Sequence, residues 1–380
     1  MIYSRICFKN NDFLQKNLIT YIGNKRNLLP FIYETIIEIM DDEGKEKLSF
    51  FDGFSGSGSV ARLFKYYANE LYVNDLEGYS ETINKCFLSN KSELDIPLIK
   101  SKIDYLNKMK LLFCNDIGFI ETHYAPKNDT LIQEHERVFY TNTNAKIIDN
   151  IRKMIFTFDT KLQTYLLAPL LIKASIHTNT SGVFKGFHKK NGIGHFGGKD
   201  ENSLRRIKEE EITLDYPKFS VDECPTHVMR GNTNEIVKEI PQVNVAYYDP
   251  PYNQHPYGSN YFMLNIINDY NNPEIQNGVS GIIKDWNRSE YNKKQQAEIA
   301  LERLIIDTKA NYIIFSYNNE GIISIVRFKE ILEKYGQVTM KTKSYITYRG
   351  SKNTGNNKKL LNGDVRSIEV DELLWILKKK

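Results

Sequence analysis

Leu48-Ser49-Phe50-Phe51-Asp52-Gly53-Phe54-Ser55-Gly56-Ser57-Gly58 is the stretch whose reading decides the fold. A short apolar run enters a glycine-rich turn, as a strand does where it hands over to a helix. Val60 to Tyr67 reads as that helix, and Leu71-Tyr72-Val73 as a second strand closed by Asn74-Asp75. Strand, glycine loop, helix, strand and acid make one βαβ unit at the usual spacing. Gly56-Ser57-Gly58-Ser59-Val60-Ala61 fits G-x-G-x-x-G/A, and Asp75 and Glu77 follow it at roughly the 20-residue spacing of nucleotide-binding units. Glycines let a backbone approach its ligand closely, and an acid ending the second strand accepts ribose hydroxyl hydrogens. Dinucleotides and S-adenosylmethionine (SAM) both use such a loop. Asp52-Gly53-Phe54 favours SAM, because an acid there repels a pyrophosphate but can hold the methionine ammonium.

Working outward, Arg26 to Met40 reads as a helix with apolar residues at Leu28, Leu29, Ile32, Ile36 and Ile39. Lys146 to Phe158 and Lys161 to Ser175 are helical, and Gly-rich, aromatic, basic loops follow them. Strands resume at Val228-Met229-Arg230, Val243 to Tyr248 and Tyr312 to Tyr317, with helices at Lys293 to Thr308 and Ile322 to Lys334. Gln337 to Thr347 alternates like an edge strand or hairpin, and Val370 to Leu377 is a final strand. The expected outline is an open α/β sheet in two parts, residues 1–114 and 226–380, interrupted by an insertion at 115–225.

The chain has 380 residues, 41% hydrophobic and 26% charged, which excludes a disordered or collagen-like polymer. Its most apolar stretch, Tyr165 to Ile172, contains Pro169 and is far shorter than the ~20 residues of a membrane span. Met1 to Asn11 lacks the apolar core of a signal peptide. The four cysteines form no CxxC pair, so the expected compartment is a reducing cytoplasm. Cys224-Pro225-Thr226-His227 is a lone CxxH, and no metal site is expected.

Val245-Ala246-Tyr247-Tyr248 leads into Asp249-Pro250-Pro251-Tyr252, the most specific feature of the chain. Two prolines fix φ and remove two N–H donors, leaving a rigid loop rich in acceptors. The Asp249 carboxylate and the Pro250 carbonyl can accept hydrogens from one exocyclic NH₂, while Tyr252 offers a face for a planar base. Two acceptors favour the pyramidal, nucleophilic amine over the conjugated one. That is catalysis by positioning and electrostatics.

The glycine loop and the DPPY tetrad together resemble the paired motifs of amino-group DNA methyltransferases. Tyr21-Ile22-Gly23-Asn24-Lys25 lies before the loop and resembles the (W/Y)xGxK motif of the Dam-like adenine methyltransferases, in their alpha arrangement. Asn179-Thr180-Ser181-Gly182-Val183-Phe184 and Phe315-Ser316-Tyr317-Asn318-Asn319-Glu320-Gly321 are similar to the branch that accompanies type IIS restriction enzymes. The resemblance implies a Rossmann-like SAM-dependent methyltransferase sheet with helices on both faces, interrupted by an inserted target-recognition domain. It implies a site-specific DNA adenine-N6 methyltransferase that flips its adenine out of duplex DNA and leaves S-adenosylhomocysteine. Tyr21 and Lys25 would contact SAM, and Asp52, Gly53, Phe54, Ser55, Gly56 and Gly58 would form its loop. Asp75 would bind the ribose hydroxyls, and Asp249 would bridge cofactor and target amine. Where the family often has an acid near the SAM adenine this chain has Asn232, and an amide can still bond that ring.

Candidate DNA-facing residues are Asn253, Tyr257, Asn260 and Tyr261 after the tetrad, with a helix start packing on the core as the alternative for the two tyrosines. Lys185, His188, Lys189 and Lys190 sit on a basic aromatic loop, where the aromatics can stack or wedge, and Arg349 and Lys352 lie near the C-terminus. The net charge of +4 hides a partition. Thr160 to Lys199 and Lys334 to Gly363 contain no Asp or Glu, and their thirteen Lys and Arg leave the rest net acidic. If the two stretches share a face, it binds phosphates. Expected partners are double-stranded DNA and, in a restriction-modification system, a cognate endonuclease on a separate chain; a monomer is expected. N4-cytosine methylation is the nearest chemical rival, with Asp rather than Ser at position 249 favouring adenine. A NAD-dependent oxidoreductase or a catalytically silent DNA-binding module would leave the tetrad without a purpose.

Overall fold

The computed structural model describes residues 11–16, 18–113, 116–197, 201–319, 321–347 and 368–380. Seven strands form the main sheet: β1 (Leu48–Asp52), β2 (Ala68–Asp75), β3 (Thr226–Arg230), β4 (Val243–Tyr248), β5 (Ala310–Asn318), β6 (Gly336–Thr347) and β7 (Ile368–Lys379). Their order is β3-β2-β1-β4-β5-β7-β6, with β3 to β5 mutually parallel and β7 antiparallel to both its neighbours. Successive strands run outward one way from β1 and the other way from β4. The reversal opens a crevice at the carboxyl ends of those two strands, where open α/β sheets bind ligands.

The sheet is covered on both faces, so its central strands are apolar on both sides. Phe50, Val245, Tyr247 and Ile314 pack under the helix Leu29–Glu43 and the helix Ser59–Lys65. Their neighbours Phe51, Ala246, Tyr248, Ile313 and Phe315 face the helices Lys294–Asp307 and Ile325–Glu333. Val243 to Tyr248 is buried at every position, which is why it reads as a continuous apolar run. The final strand enters between β5 and β6, leaving β6 at the edge.

A third core joins residues before, within and after the 115–225 segment. Helices Asn142–Phe156 and Thr160–Ile176 pack with Gly78–Phe87, Ile96–Met109 and Phe262–Asp269. Arg152, inside the segment, donates to the carbonyls of Ile267 (2.9 Å) and Asn268 (2.7 Å). The segment therefore shares a core with the sheet-flanking helices. Among the described residues Cys86 and Cys224 are free and buried, and no helix is long and apolar enough to cross a membrane.

Candidate active site

Asp52, Asp75 and Asp249 lie at the carboxyl ends of β1, β2 and β4, around one crevice. The glycine loop is shaped by two residues in the left-handed region, Gly56 (φ 49°) and Gly58 (φ 73°). A β-carbon at Gly58 would sit 2.3 Å from Asn84 Oδ1, and one at Gly56 2.9 Å from the Tyr21 ring. Only glycine fits both the angle and the space. The loop is anchored by polar groups around it. Gly56 N–H donates to Asp75 Oδ2 (2.7 Å), and Ser80 Oγ donates to the Gly56 carbonyl (2.6 Å). Asn74 and Thr233 both donate to the Gly53 carbonyl. Asn24 ties the Tyr21–Lys25 turn to the loop, accepting from Ser59 Oγ (3.1 Å) and donating to Ser57 Oγ (3.3 Å). Two motifs about 30 residues apart thus form one wall.

A recess of about 300 Å³ is lined by Tyr21, Lys25, Asp52, Ser55, Gly56 and Asp249, among others. Asp52 is 1% exposed, and neither carboxylate oxygen has a hydrogen-bond partner of good geometry. Burial, with the charges of Asp249 and Asp75, raises its pKa well above the carboxylate range. A buried, unpartnered carboxylate is costly unless a cation meets it. The chemistry of Asp52 suits a cationic group in the recess.

Lys25 is buried between two carboxylates, 3.1 Å from Asp249 Oδ1 and 2.6 Å from Glu372 Oε1. Burial opposes its charge, but Asp249 and Glu372 outweigh it and hold its pKa well above the ordinary value. Burial pushes Asp249 up to about 7, against the pull of Lys25 and with the push of Glu372. Tyr252 stands beside them, its ring 5.8 Å from Lys25 Nζ and edge-on to Tyr317. Pro250 is buried and Pro251 half-buried at the mouth.

The larger part of the crevice, about 780 Å³, runs past Phe54, Asp75, Glu77, Asn232 and Pro251. Both Asp75 oxygens already accept backbone hydrogens, from Gly56 and from Glu77 (2.9 Å). Glu77 is 3% exposed, with a pKa raised to about 7 by burial and by Asp75. Asn265 (2.5 Å) and Asn287 (2.9 Å) donate to its Oε2. Asn232 lines the crevice, and its Oδ1 caps the following turn by accepting from Asn234 N–H. The outer wall is the loop Asn287–Asn292, pinned by Asn287 to the Leu76 carbonyl and by Asn292 to the Asn253 carbonyl. Nothing in the sequence singled out this loop, Asn74, Thr233 or Glu372 as part of the site. The Trp286-Asn287-Arg288 run of aromatic, amide and cation was the available signal.

The residues after the tetrad divide. Tyr21 stacks on both Tyr257 (4.9 Å between centroids) and Tyr261 (4.7 Å). Tyr261 is fully buried and its hydroxyl accepts from Ile22 N–H (2.7 Å), while the Tyr257 hydroxyl donates to the Ile22 carbonyl (3.0 Å). Asn260 is 4% exposed, and its carbonyl accepts from Phe184 N–H. Tyr261 and Asn260 thus sit inside, in the helix-start packing, and not on a DNA-facing surface. Asn253 is half-buried and its Oδ1 accepts from His255 N–H.

Lys189–Lys190 and Ile193–Gly194 form a two-stranded ribbon around Asn191 (φ 53°) and Gly192 (φ 85°). Lys185, Lys189 and Lys190 are exposed, and none of the three has an ion pair among the described residues. Of the aromatics beside them, Phe184 is 2% exposed and belongs to the core, while Phe187 is half-buried, edge-on to Phe139 and under the Lys189 ammonium (5.1 Å). Asn179, fully buried, secures the ribbon by donating to the carbonyls of Val138 and His195 and accepting from Gly197 N–H. His188 is half-buried, which lowers its pKa. The second basic stretch is weaker than its composition: Lys334 pairs with Glu302 and Lys341 with Glu38. Arg349 and Lys352 lie outside the described residues. Among the described residues no group of acids, histidines and cysteines is placed to hold a metal.

The sheet order, the glycine loop and the Asp-Pro-Pro-Tyr tetrad together are those of a Rossmann-like methyltransferase. Residues 21–331 match the model of the D12 class N6 adenine-specific DNA methyltransferases, and the chain belongs to that family. It is 28% identical over 348 residues to the type II methyltransferase M.NlaIII of Neisseria lactamica, covering 90% of this chain and 96% of that protein. It is 31% identical over 379 residues to the modification methylase StsI of Streptococcus sanguinis, covering 95% of this chain and 52% of that protein. For the type II methyltransferase M.FokI of Planomicrobium okeanokoites the identity is 27% over 329 residues, with 83% and 47% covered. The chain thus spans nearly all of the first relative and about half of the other two.

Proposed function

We propose that this chain methylates N6 of one adenine in a specific duplex sequence, as the modification partner in a bacterial restriction-modification system. The observation that carries the reading is a pair of carboxylates, the buried Asp52 and the half-buried Asp249, lining one recess between the glycine loop and the tetrad. SAM supplies an electrophilic methyl group carried on a sulfonium. Asp52 and Lys25 would hold the ammonium and carboxylate of its methionine end. Tyr21, Phe54 and Asn232 would border its nucleoside, with Asp75 and Glu77 beside the ribose. Asp75 also braces the loop, each of its oxygens accepting one backbone hydrogen and keeping a lone pair for the ribose.

Asp249 and the Pro250 carbonyl would accept the two amine hydrogens, turning the nitrogen lone pair out of conjugation. Tyr252 would stack on the flipped base and return part of the few kcal/mol lost on unstacking. Lys185, Lys189 and Lys190 would meet phosphates, and the 115–225 segment would carry base readout. Tyr257 and Tyr261 would support Tyr21 from behind. The test is sequencing of modified bases in DNA from cells expressing the protein. N6-methyladenine at one short sequence supports the reading. Unmodified DNA from cells that make the folded protein refutes it.

A further inference from the structure

Lys25 has two carboxylate partners, and only one of them belongs to the tetrad. The other, Glu372, comes from β7, beyond the 21–331 segment that matches the family model. It is 1% exposed and lies closer to Lys25 (2.6 Å) than Asp249 does (3.1 Å). Ser316 on β5 donates to the same Glu372 oxygen (2.7 Å), fixing it from the neighbouring strand. Buried carboxylates are retained at a cost, so the second one calls for a use.

We propose that Glu372 is a positioning residue for methyl transfer, which draws Lys25 away from Asp249 so that the Asp249 oxygen is open to the target amine. With Asp249 as its only carboxylate partner, Lys25 would hold it in a closed ion pair, and Asp249 would be a poor acceptor. A second carboxylate gives the ammonium another place to rest. It also leaves the three-group cluster with a net negative charge, which suits a sulfonium and the positive amine that methylation creates.

The charged and titratable groups facing the cluster come from every packed element. They are Lys25 from the N-terminal turn, Asp52 from β1, Tyr247 and Asp249 from β4 and its loop, Tyr252 and Tyr257 beyond it, and Lys343 as the cross-strand neighbour of Glu372. Lys343 directs its ammonium over the Phe31 ring. Burial and the Glu372 charge both raise Asp249, and Lys25 lowers it. Neutralising Glu372 should therefore lower the Asp249 pKa while leaving Lys25 on Asp249.

The inference rests on the proposed methyl-transfer role, and its test separates the two. In Glu372→Gln, kcat should fall roughly 10- to 100-fold, as for a misplaced reacting group, with KM for DNA changed less than about threefold. The acid limb of kcat should move to lower pH. Carboxyl ¹³C NMR of the ligand-free protein, with Asp249 assigned by its loss in Asp249→Asn, should show the same downward move without any turnover. Glu372→Asp keeps the charge but withdraws the carboxylate by one methylene. It should lose several-fold in kcat with no downward move of the limb. An unmoved Asp249 titration in the Gln variant, or wild-type kcat in either variant, overturns the proposal. If the wild-type protein transfers no methyl group while the titration still moves, the functional reading fails and the coupling stands.

Discussion

The crevice at the carboxyl edge of the sheet and the basic ribbon at 189–194 are built on opposite terms. In the crevice, the glycine loop is held by its neighbours, and the unpartnered buried atoms include the carboxylate oxygens of Asp52 at the recess. In the ribbon the order lies beneath the surface, in Asn179 and the Phe184–Phe187 packing, while the lysines stand in solvent. A preorganised pocket binds by charges it has already buried. A solvated cationic loop binds by releasing counterions. Substitutions in the two regions should therefore fail differently.

The largest effect is expected in the crevice. Asp249→Ala removes an acceptor from the reacting amine and should lower kcat by about 10²–10³-fold, with DNA affinity by gel shift nearly unchanged. An Asp249→Ala enzyme with wild-type kcat would break the comparison at its centre. Asp52→Asn should weaken SAM binding by about tenfold or more, because a partly buried charge pair at ~4 Å is worth a few kcal/mol. In the wild type, SAM affinity should rise with pH and fall as pH drops through about 7, where Asp249 takes up its proton. The sign follows from the raised carboxylates: a cation binds their ionised forms and expels protons. Calorimetry in buffers of different ionisation enthalpy should register proton release, and less of it in Asp52→Asn.

Gly58→Ala forces a β-carbon into Asn84 at a positive φ and should cost at least ~1–2 kcal/mol of stability in urea unfolding. The smallest effect belongs to the ribbon. Lys189→Ala with Lys190→Ala should weaken DNA binding several-fold and reduce the salt slope of log K by about 1.8, at ~0.9 for each phosphate left without its lysine. kcat at saturating DNA should change far less. A reduced kcat with an unchanged salt slope would place these lysines in the chemistry and erase the contrast.

The same contrast explains what was legible in the sequence. Both motif ends of the crevice could be read, because a tight turn at Gly56–Gly58 and a rigid acceptor loop at Asp249–Tyr252 need particular residue types at fixed spacing. All seven strands are legible in outline, the buried central ones as continuous apolar runs and the edge strand Gly336–Thr347 by its alternation. The helices Gly78–Phe87, Ile96–Met109 and Phe262–Asp269 were missed; the last is only eight residues long, barely two turns. Neither Glu372 nor Asn287 could be placed in the site from sequence alone, for another reason. Each reaches the site from a strand or loop remote in sequence, and only the sheet order brings them there. The two acid-free stretches are equally basic by composition, but Lys334 and Lys341 have acids waiting on neighbouring helices.

The most direct test of the central claim is transfer of a tritiated methyl group from SAM to duplex DNA of varied sequence, followed by digestion to nucleosides. The account predicts label in N6-methyladenine in the wild-type protein and its loss in Asp249→Ala. Label in N4-methylcytosine, or none in any DNA from a protein that binds SAM, would contradict it.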